Sequence, residues 1–182
     1  MIYPKRWKRK RNLLTETMKR NGYILGIDPD VSKSGFALLD CEAREFVRVE
    51  ALSFPDMVDR FAELAAMKAD GKEVAVVMED SDLSTNWHYD SRDSKAVCAA
   101  KGRSVGLCHA TARHLKECAE NFGLEVVMMK PLRKFWKGRD GKITHEEAAY
   151  FMRGLPKQTN QEGRDAALLA WAYADYPIRV KR

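Results

Sequence analysis

The sequence predicts an α/β protein built on a mixed five-stranded sheet flanked by helices. Apolar or alternating segments between turn signals indicate its strands, at residues 23–28, 35–40, 45–52, 73–79 and 124–129. Because short links join the first three strands, we expect them to be antiparallel. The last two strands follow helical segments, so we expect them to return parallel to the first strand through right-handed crossovers.

Apolar residues at helical spacing predict four helices, at residues 56–69, 94–122, 145–154 and 161–175. Gly123 is a suitable residue to end the second helix. Thr144, with Glu147 three residues later, forms a capping-box signature before the third. Gly102 and Gly106 lie about one turn apart within the second helix. Because glycine weakens a helix, we expect this pair to mark close packing of the helix on the sheet.

Composition indicates one globular domain, residues 23–182, preceded by a basic arm, residues 1–22. The chain has 182 residues, of which 45% are hydrophobic, enough for one substantial core. It has no run of about 18 apolar residues that would predict a membrane span, and the basic N-terminus lacks the apolar segment of a secretory signal. The four cysteines have no zinc-binding spacing. We therefore expect a cytoplasmic protein with reduced thiols and no membrane partner.

Positive charge is concentrated in the arm. Residues 1–22 contain eight Lys and Arg side chains and one acid, whereas the remaining residues have a net charge of −1. A basic arm on a nearly neutral body indicates contact with a polyanion, most simply nucleic acid. The arm residues expected to bind DNA are Lys8, Arg9, Lys10 and Arg11. The alternative is a solubilising or targeting tail.

Four acidic residues fall where strands end or a helix begins, and they are candidate metal ligands. Asp28 ends the first strand and Glu79 ends the fourth. Glu162 and Asp165 open the last helix, three residues apart and therefore on one face. Such hard oxygen ligands suit two Mg²⁺ ions per site, or Mn²⁺ in their place, which can activate water against a phosphodiester. The alternatives are a plain turn residue for Asp28 and a charge favoured by the helix dipole for Glu162.

Four segments resemble motifs of RuvC-type Holliday junction resolvases, which have a ribonuclease H-like fold. They are Ile24-Leu25-Gly26-Ile27-Asp28-Pro29-Asp30 with Ser34-Gly35-Phe36, then Val76-Val77-Met78-Glu79, then Gly102-Arg103-Ser104-Val105-Gly106, and finally Glu162-Gly163-Arg164-Asp165-Ala166-Ala167-Leu168. The family commonly has Gly at the position of Asp30 and Asp at the position of Glu162. The resemblance covers residues 23–175, and the four motifs occur in the family's order.

The resemblance implies a Mg²⁺-dependent endonuclease that resolves four-way DNA junctions as a homodimer, with the four acids as its catalytic and metal-binding residues. The family carries lysines before its penultimate helix; Lys134 matches one of them and His145 stands at the second position. Trp87 and Tyr89, in a long polar loop, are expected to replace the family's apolar wedge against junction bases. The alternative is that both aromatics pack locally or against the dimer partner. The remaining DNA-binding candidates, in the basic segment 130–142, are Arg133 and Lys137.

Three other functions compete with junction resolution. A related nuclease could cut other branched or flapped DNA with the same chemistry. A non-catalytic nucleic-acid-binding module could have kept the fold. Loss of one candidate metal ligand would favour it, but an acid occupies all four of those positions. An ATPase of the actin and sugar-kinase type also begins with an Asp-ended strand, but it needs a second nucleotide-binding domain, for which 182 residues leave no room.

Overall fold

The computed structural model describes residues 22–83, 90 and 92–180. In this part of the chain, five strands form one sheet: β1 (Tyr23–Asp28), β2 (Ser34–Asp40), β3 (Glu45–Leu52), β4 (Val74–Glu79) and β5 (Val126–Met129). The accompanying helices are α1 (Phe54–Ala69), α2 (Lys95–Asn121), α3 (His145–Ala149) and α4 (Gln161–Tyr173). Six DNA-binding candidates lie outside the described residues and stay predictions: Lys8, Arg9, Lys10, Arg11, Trp87 and Tyr89.

The strand order is β3-β2-β1-β4-β5. β1 pairs antiparallel with β2, and β2 pairs antiparallel with β3. β4 runs parallel to β1, and β5 runs parallel to β4. The predicted mixed sheet and its strand directions are therefore confirmed. Within residues 22–83 and 92–180, none of the helices combines the length and the apolar character needed to cross a bilayer.

Helices cover both faces of the sheet. Gly26 of β1 lies beneath α4, whose apolar residues form one core cluster with alternate residues of β1, β2 and β4. On the opposite face, Phe61 of α1 and Leu115 of α2 belong to a second cluster with Leu25 and Ile27. Because strand side chains alternate between faces, β1 contributes to both clusters and lies fully inside the protein.

Two strand glycines allow α4 to touch the sheet backbone. A Cβ atom at Gly26 would overlap the carbonyl oxygen of Ala166, and one at Gly35 would overlap the carbonyl oxygen of Glu162. By contrast, a Cβ atom at Gly106 would meet no atom within 4 Å. The prediction that Gly106 marks close packing of α2 on the sheet is therefore wrong, because the first half of α2 extends past the core.

The helix ends follow the capping signals, with one difference. Thr144 and Glu147 form the predicted capping box of α3. Gly123 follows the end of α2 with a φ of +74°, the left-handed conformation that commonly ends helices. However, α3 ends at Ala149 rather than at residue 154. Beyond Ala149 the chain turns and meets β3, where the carbonyl of Arg153 accepts a hydrogen bond from the Phe46 N–H at 2.9 Å.

Candidate active site

The sheet register brings the first two candidate acids together. Ile27 of β1 pairs with Met78 of the parallel strand β4, so the next residues, Asp28 and Glu79, end their strands side by side. Asp28 also pairs across β1 and β2 with Gly35. This pairing fixes its place next to the first turn of α4.

The other two acids arrive on α4. This helix begins after Asn160, whose side chain accepts a hydrogen bond from the Gly163 N–H at 2.8 Å. Glu162 then lies with its backbone directly over Gly35, the strand partner of Asp28. Asp165 lines the same cavity as the two strand acids, whereas Glu162 is not among the lining residues. The structure therefore brings three of the predicted acids to one cavity and Glu162 to its neighbourhood.

Electrostatic strain is concentrated on the strand acids. Burial raises the pKa of Asp28 well above its usual range, and the negative charges of Glu79, Asp165 and Glu162 raise it further. Burial also raises the pKa of Glu79, again with help from the charge of Asp165. Carboxylates that crowd one another in this way are stabilised when a cation arrives.

Lys142 forms an ion pair within the site, where the sequence pattern did not place it. Its Nζ atom lies 3.1 Å from Oδ2 of Asp165. Although burial lowers the pKa of Lys142, the charges of Asp165, Asp28 and Glu162 raise it above its usual value. The other oxygen of Asp165 accepts a hydrogen bond from Nε2 of Gln161 at 2.8 Å. Both carboxylate oxygens of Asp165 therefore have protein partners.

The loop that presents Lys142 is held in place by Glu147. This buried carboxylate accepts hydrogen bonds from the backbone N–H groups of Lys137, at 3.1 and 3.2 Å, and of Thr144, at 3.1 Å. Backbone hydrogen bonds from Trp136 to Gly141 and from Gly138 to Lys142, both 3.0 Å, close the loop from within. The capping-box signature identified Glu147 only as a helix cap, so its contact with Lys137 was not predicted.

Four oxygen-donor side chains fit a divalent metal by their chemistry. As they stand, however, no group of three or more Asp, Glu, His or Cys side chains among the described residues is arranged to hold a metal ion. Lys142 and Gln161 contact the two carboxylate oxygens of Asp165, so a metal ion in the cavity would compete with them for that side chain.

Of the DNA-binding candidates in the described residues, two line the cavity and two do not. Arg133 and Lys134 line the cavity beside Asp28 and Glu79. Lys137 is exposed on the same loop. His145 opens α3, where its Nδ1 atom lies 3.0 Å from Oγ1 of Thr159, and it is not among the residues that line the cavity.

Two further carboxylates, Asp30 and Asp80, lie in loops close to the ends of β1 and β4. Asp30 accepts hydrogen bonds from the N–H and hydroxyl of Ser32, at 2.9 and 2.8 Å, within the turn between β1 and β2. Asp80 accepts a hydrogen bond from the N–H of Asp82 at 2.9 Å. Both make the local contacts that are typical of turn residues.

A mixed sheet in this strand order, with helices on both faces, is the ribonuclease H-like fold. No protein-family model and no curated protein sequence matches the chain. Among solved structures, it is similar to Thermus thermophilus RuvC in complex with a Holliday junction substrate, at 17% identity and a TM-score of 0.47, over 82% of this chain and 91% of that one. A second structure of Thermus thermophilus RuvC matches at 16% identity and a TM-score of 0.42, over 84% and 95%.

The large terminase nuclease of the thermophilic phage G20c is also similar, at 16% identity and a TM-score of 0.32, over 86% of this chain and 83% of that one.

Proposed function

We propose that this protein is a Mg²⁺-dependent endonuclease that cuts branched DNA, with the four-way junction as its substrate. One observation carries the proposal: Asp28, Glu79 and Asp165 line one cavity together with the basic residues Arg133 and Lys134. Acids of this kind bind divalent metal ions, and basic residues beside them bind phosphate. Mn²⁺, another hard cation, is expected to replace Mg²⁺.

The proposed chemistry divides the work among residues of this chain. Asp28, Glu79 and the two α4 acids would hold the metal ions, and Asp28 is the acid on which the charges of the other three act. Bound ions would supply an activated water and stabilise the leaving oxygen. Arg133 and Lys134 would hold the phosphate groups that flank the cut, and Lys142 would leave Asp165 when a metal ion binds.

A homodimer suits this substrate, because a four-way junction has two strands to cut and a two-fold dimer presents two equal sites. We place the expected contact on the first half of α2, which extends beyond the core and exposes Val97 and Leu107 at 42% and 43%.

The experiment that tests the function compares substrates. Wild-type protein is incubated in Mg²⁺ with a labelled synthetic four-way junction and, in parallel, with linear duplex, flapped DNA and an RNA/DNA hybrid. The proposal predicts cleavage of the junction in preference to the other three. Preferential cleavage of the flap would assign the same chemistry to another branched substrate.

A non-catalytic nucleic-acid-binding module is the second candidate, and the ion pair between Lys142 and Asp165 favours it. This pair, at 3.1 Å, neutralises a candidate acid without any metal. Such a module would bind the junction in a chelator and would cut none of the four substrates in Mg²⁺.

Substitution of Lys142 by Met should strengthen metal binding. Removal of the ammonium group frees Asp165 and leaves the acids repelling one another, so Mg²⁺ and Mn²⁺ affinity should rise on the order of tenfold. For the same reason, the metal-free variant should melt at a lower temperature than wild type. Calorimetric titration and thermal melting with and without metal measure both effects.

Lys130→Met is the matched control, because Lys130 is an exposed lysine of the same basic segment and does not line the cavity. It should leave metal affinity and melting temperature unchanged. Equal metal affinity in Lys142→Met and wild type would mean that Lys142 does not compete with a metal ion for Asp165.

Deletion of the arm should weaken DNA binding about equally for all DNA structures. Lys and Arg side chains that neutralise phosphates release counterions without reading sequence. The slope of log affinity against log salt should therefore become shallower by about 0.9 for each phosphate that the arm neutralises in the intact protein. The deletion should remove residues 1–21 only, since the carbonyl of Gly22 accepts a hydrogen bond from the Cys41 N–H at 2.9 Å. An unchanged slope would show that the arm does not touch DNA.

A further inference from the structure

Phe135 exposes an aromatic ring in the basic segment that borders the cavity. Its side chain is 58% exposed, and its ring stacks on that of Trp136 with 4.6 Å between centroids and 23° between planes. The exposed part of this aromatic ring is apolar surface in contact with water, and a ligand could cover it. One face of the ring is used by Trp136, so the other face is available for a flat partner.

Phe135 is flanked in the chain by residues that line the acidic cavity, and it is not itself one of the lining residues. Arg133, Lys134 and Trp136, the residues around Phe135 in the chain, all line the cavity that Asp28 and Glu79 also line. The charge of Lys134 also acts on Glu79, whose pKa it lowers against the stronger effects of burial and Asp165. Phe135 is therefore within one residue of groups that face the acids.

The support beneath Phe135 is a buried and well-packed indole. Trp136 is buried, with only 7% of its surface exposed, and its other neighbour is Phe151, with ring centroids 5.9 Å apart and 19° between planes. Its backbone N–H donates to the carbonyl of Gly141 at 3.0 Å, inside the loop that Glu147 holds. A ring stacked on a fixed indole loses little conformational freedom when a ligand binds, which favours affinity.

We propose that Phe135 is a stacking site for an unpaired nucleobase of a nucleic-acid strand that enters the cavity. Arg133 and Lys134 bind the phosphates on either side of that base, and the free face of the ring covers the base itself. Stacking on aromatic rings between basic side chains is how proteins hold single strands without reading sequence. The inference rests on the proposed function only because that function places DNA at the acids. It adds that the site recognises an unpaired base there.

The test measures binding in a chelator, so that no cleavage is needed. The probes are a branched DNA with 2-aminopurine at an unpaired position beside the branch, a single strand with the same base, and a fully paired duplex of equal length. Wild type should quench the fluorescence of the first two probes. Phe135→Ala should abolish that quenching and weaken their binding roughly 5- to 150-fold, with duplex binding unchanged.

Further variants separate stacking from other roles of the ring. Phe135→Leu keeps apolar bulk without a flat face and should lose quenching as Phe135→Ala does. Phe135→Trp keeps an aromatic ring and should quench as wild type does. Tyr150→Ala is the matched control, because Tyr150 is a 52% exposed aromatic that lies outside the basic segment 130–142. It should bind all three probes like wild type, and thermal melting should show every variant folded.

Several results would overturn the inference. They are unchanged quenching in Phe135→Ala, equal weakening for duplex and unpaired DNA, or a shift of this variant to a smaller oligomer in sedimentation, which would make the ring a protein contact. Quenching that depends on Phe135 in a protein that cuts no DNA would uphold the stacking site and refute the nuclease. Junction cleavage by a protein whose quenching is the same with and without Phe135 would uphold the nuclease and refute the stacking site.

Discussion

Replacement of Asp28 by Asn is expected to abolish Mg²⁺-dependent junction cleavage and to leave junction binding near the wild-type level. Asn keeps the size of the side chain but removes the charge that a metal ion needs, and metal stabilises the transition state more than it supports phosphate contact. We expect a loss of at least about a thousandfold in cleavage rate, the upper end for loss of one stabilising group. Single-turnover cleavage and equilibrium binding measure the two effects separately.

The same variant should be more stable than wild type when metal is removed. Because the pKa of Asp28 is raised in the folded protein, chiefly by burial, its neutral form favours folding and its charged form opposes it. The favourable contribution is present at acidic pH and is lost as pH rises through the raised pKa. In a chelator, wild type should therefore lose melting temperature over that pH interval, and Asp28→Asn should lose less.

Asp30→Asn is the matched control, since Asp30 lies two residues away and holds the turn through Ser32. It should retain cleavage. Glu79→Gln and Asp165→Asn should lose cleavage as Asp28→Asn does, and Glu162→Gln should lose less, because Glu162 does not line the cavity. Mg²⁺-dependent cleavage retained by pure Asp28→Asn would remove Asp28 from the catalytic residues.

Gly35→Ala is expected to have the largest effect on stability among single methyl additions. The new Cβ would overlap the carbonyl oxygen of Glu162, a backbone atom that cannot rotate away, so the first turn of α4 must move. Overpacking of this kind costs about 1–3 kcal/mol or more in the free energy of unfolding. Since α4 also carries Asp165, cleavage should fall as well.

Gly106→Ala provides the opposite case with the same chemical change. A Cβ atom there meets nothing within 4 Å, and Ala favours helix over Gly, so the variant should be more stable by about 0.5–1 kcal/mol. Denaturant unfolding of both variants measures the difference. If Gly35→Ala were tolerated as well as Gly106→Ala, α4 would not lie on the backbone of β2 as described.

The sheet could be predicted from the sequence because each strand is encoded locally. Alternating or unbroken apolar segments between turn signals defined β1 to β5, and the lengths of the connections indicated their directions. The acids at the strand ends followed from the same pattern, since parallel strands finish at one edge. That Asp28 and Glu79 lie together also required β1 and β4 to be neighbours, which local patterns do not determine.

The glycines and Lys142 show where this reasoning stops. A glycine in the sequence indicates a special backbone position but not which atoms approach it. Close packing was therefore predicted at Gly106, whereas the structure has it at Gly26 and Gly35. Lys142 reaches Asp165 across a loop whose shape depends on the buried Glu147. Contacts between residues far apart in a chain, carried by an irregular loop, have no periodic pattern to reveal them.

The most direct measurement is cleavage of an end-labelled four-way junction by the wild-type protein, with Mg²⁺ and with a chelator. The site predicts paired cuts near the branch point that require Mg²⁺, that Mn²⁺ also supports, and that are absent with Asp28→Asn prepared in the same way. A junction that stays intact in Mg²⁺ and Mn²⁺ while the folded protein is bound to it would contradict the account. So would cuts of equal yield in the chelator.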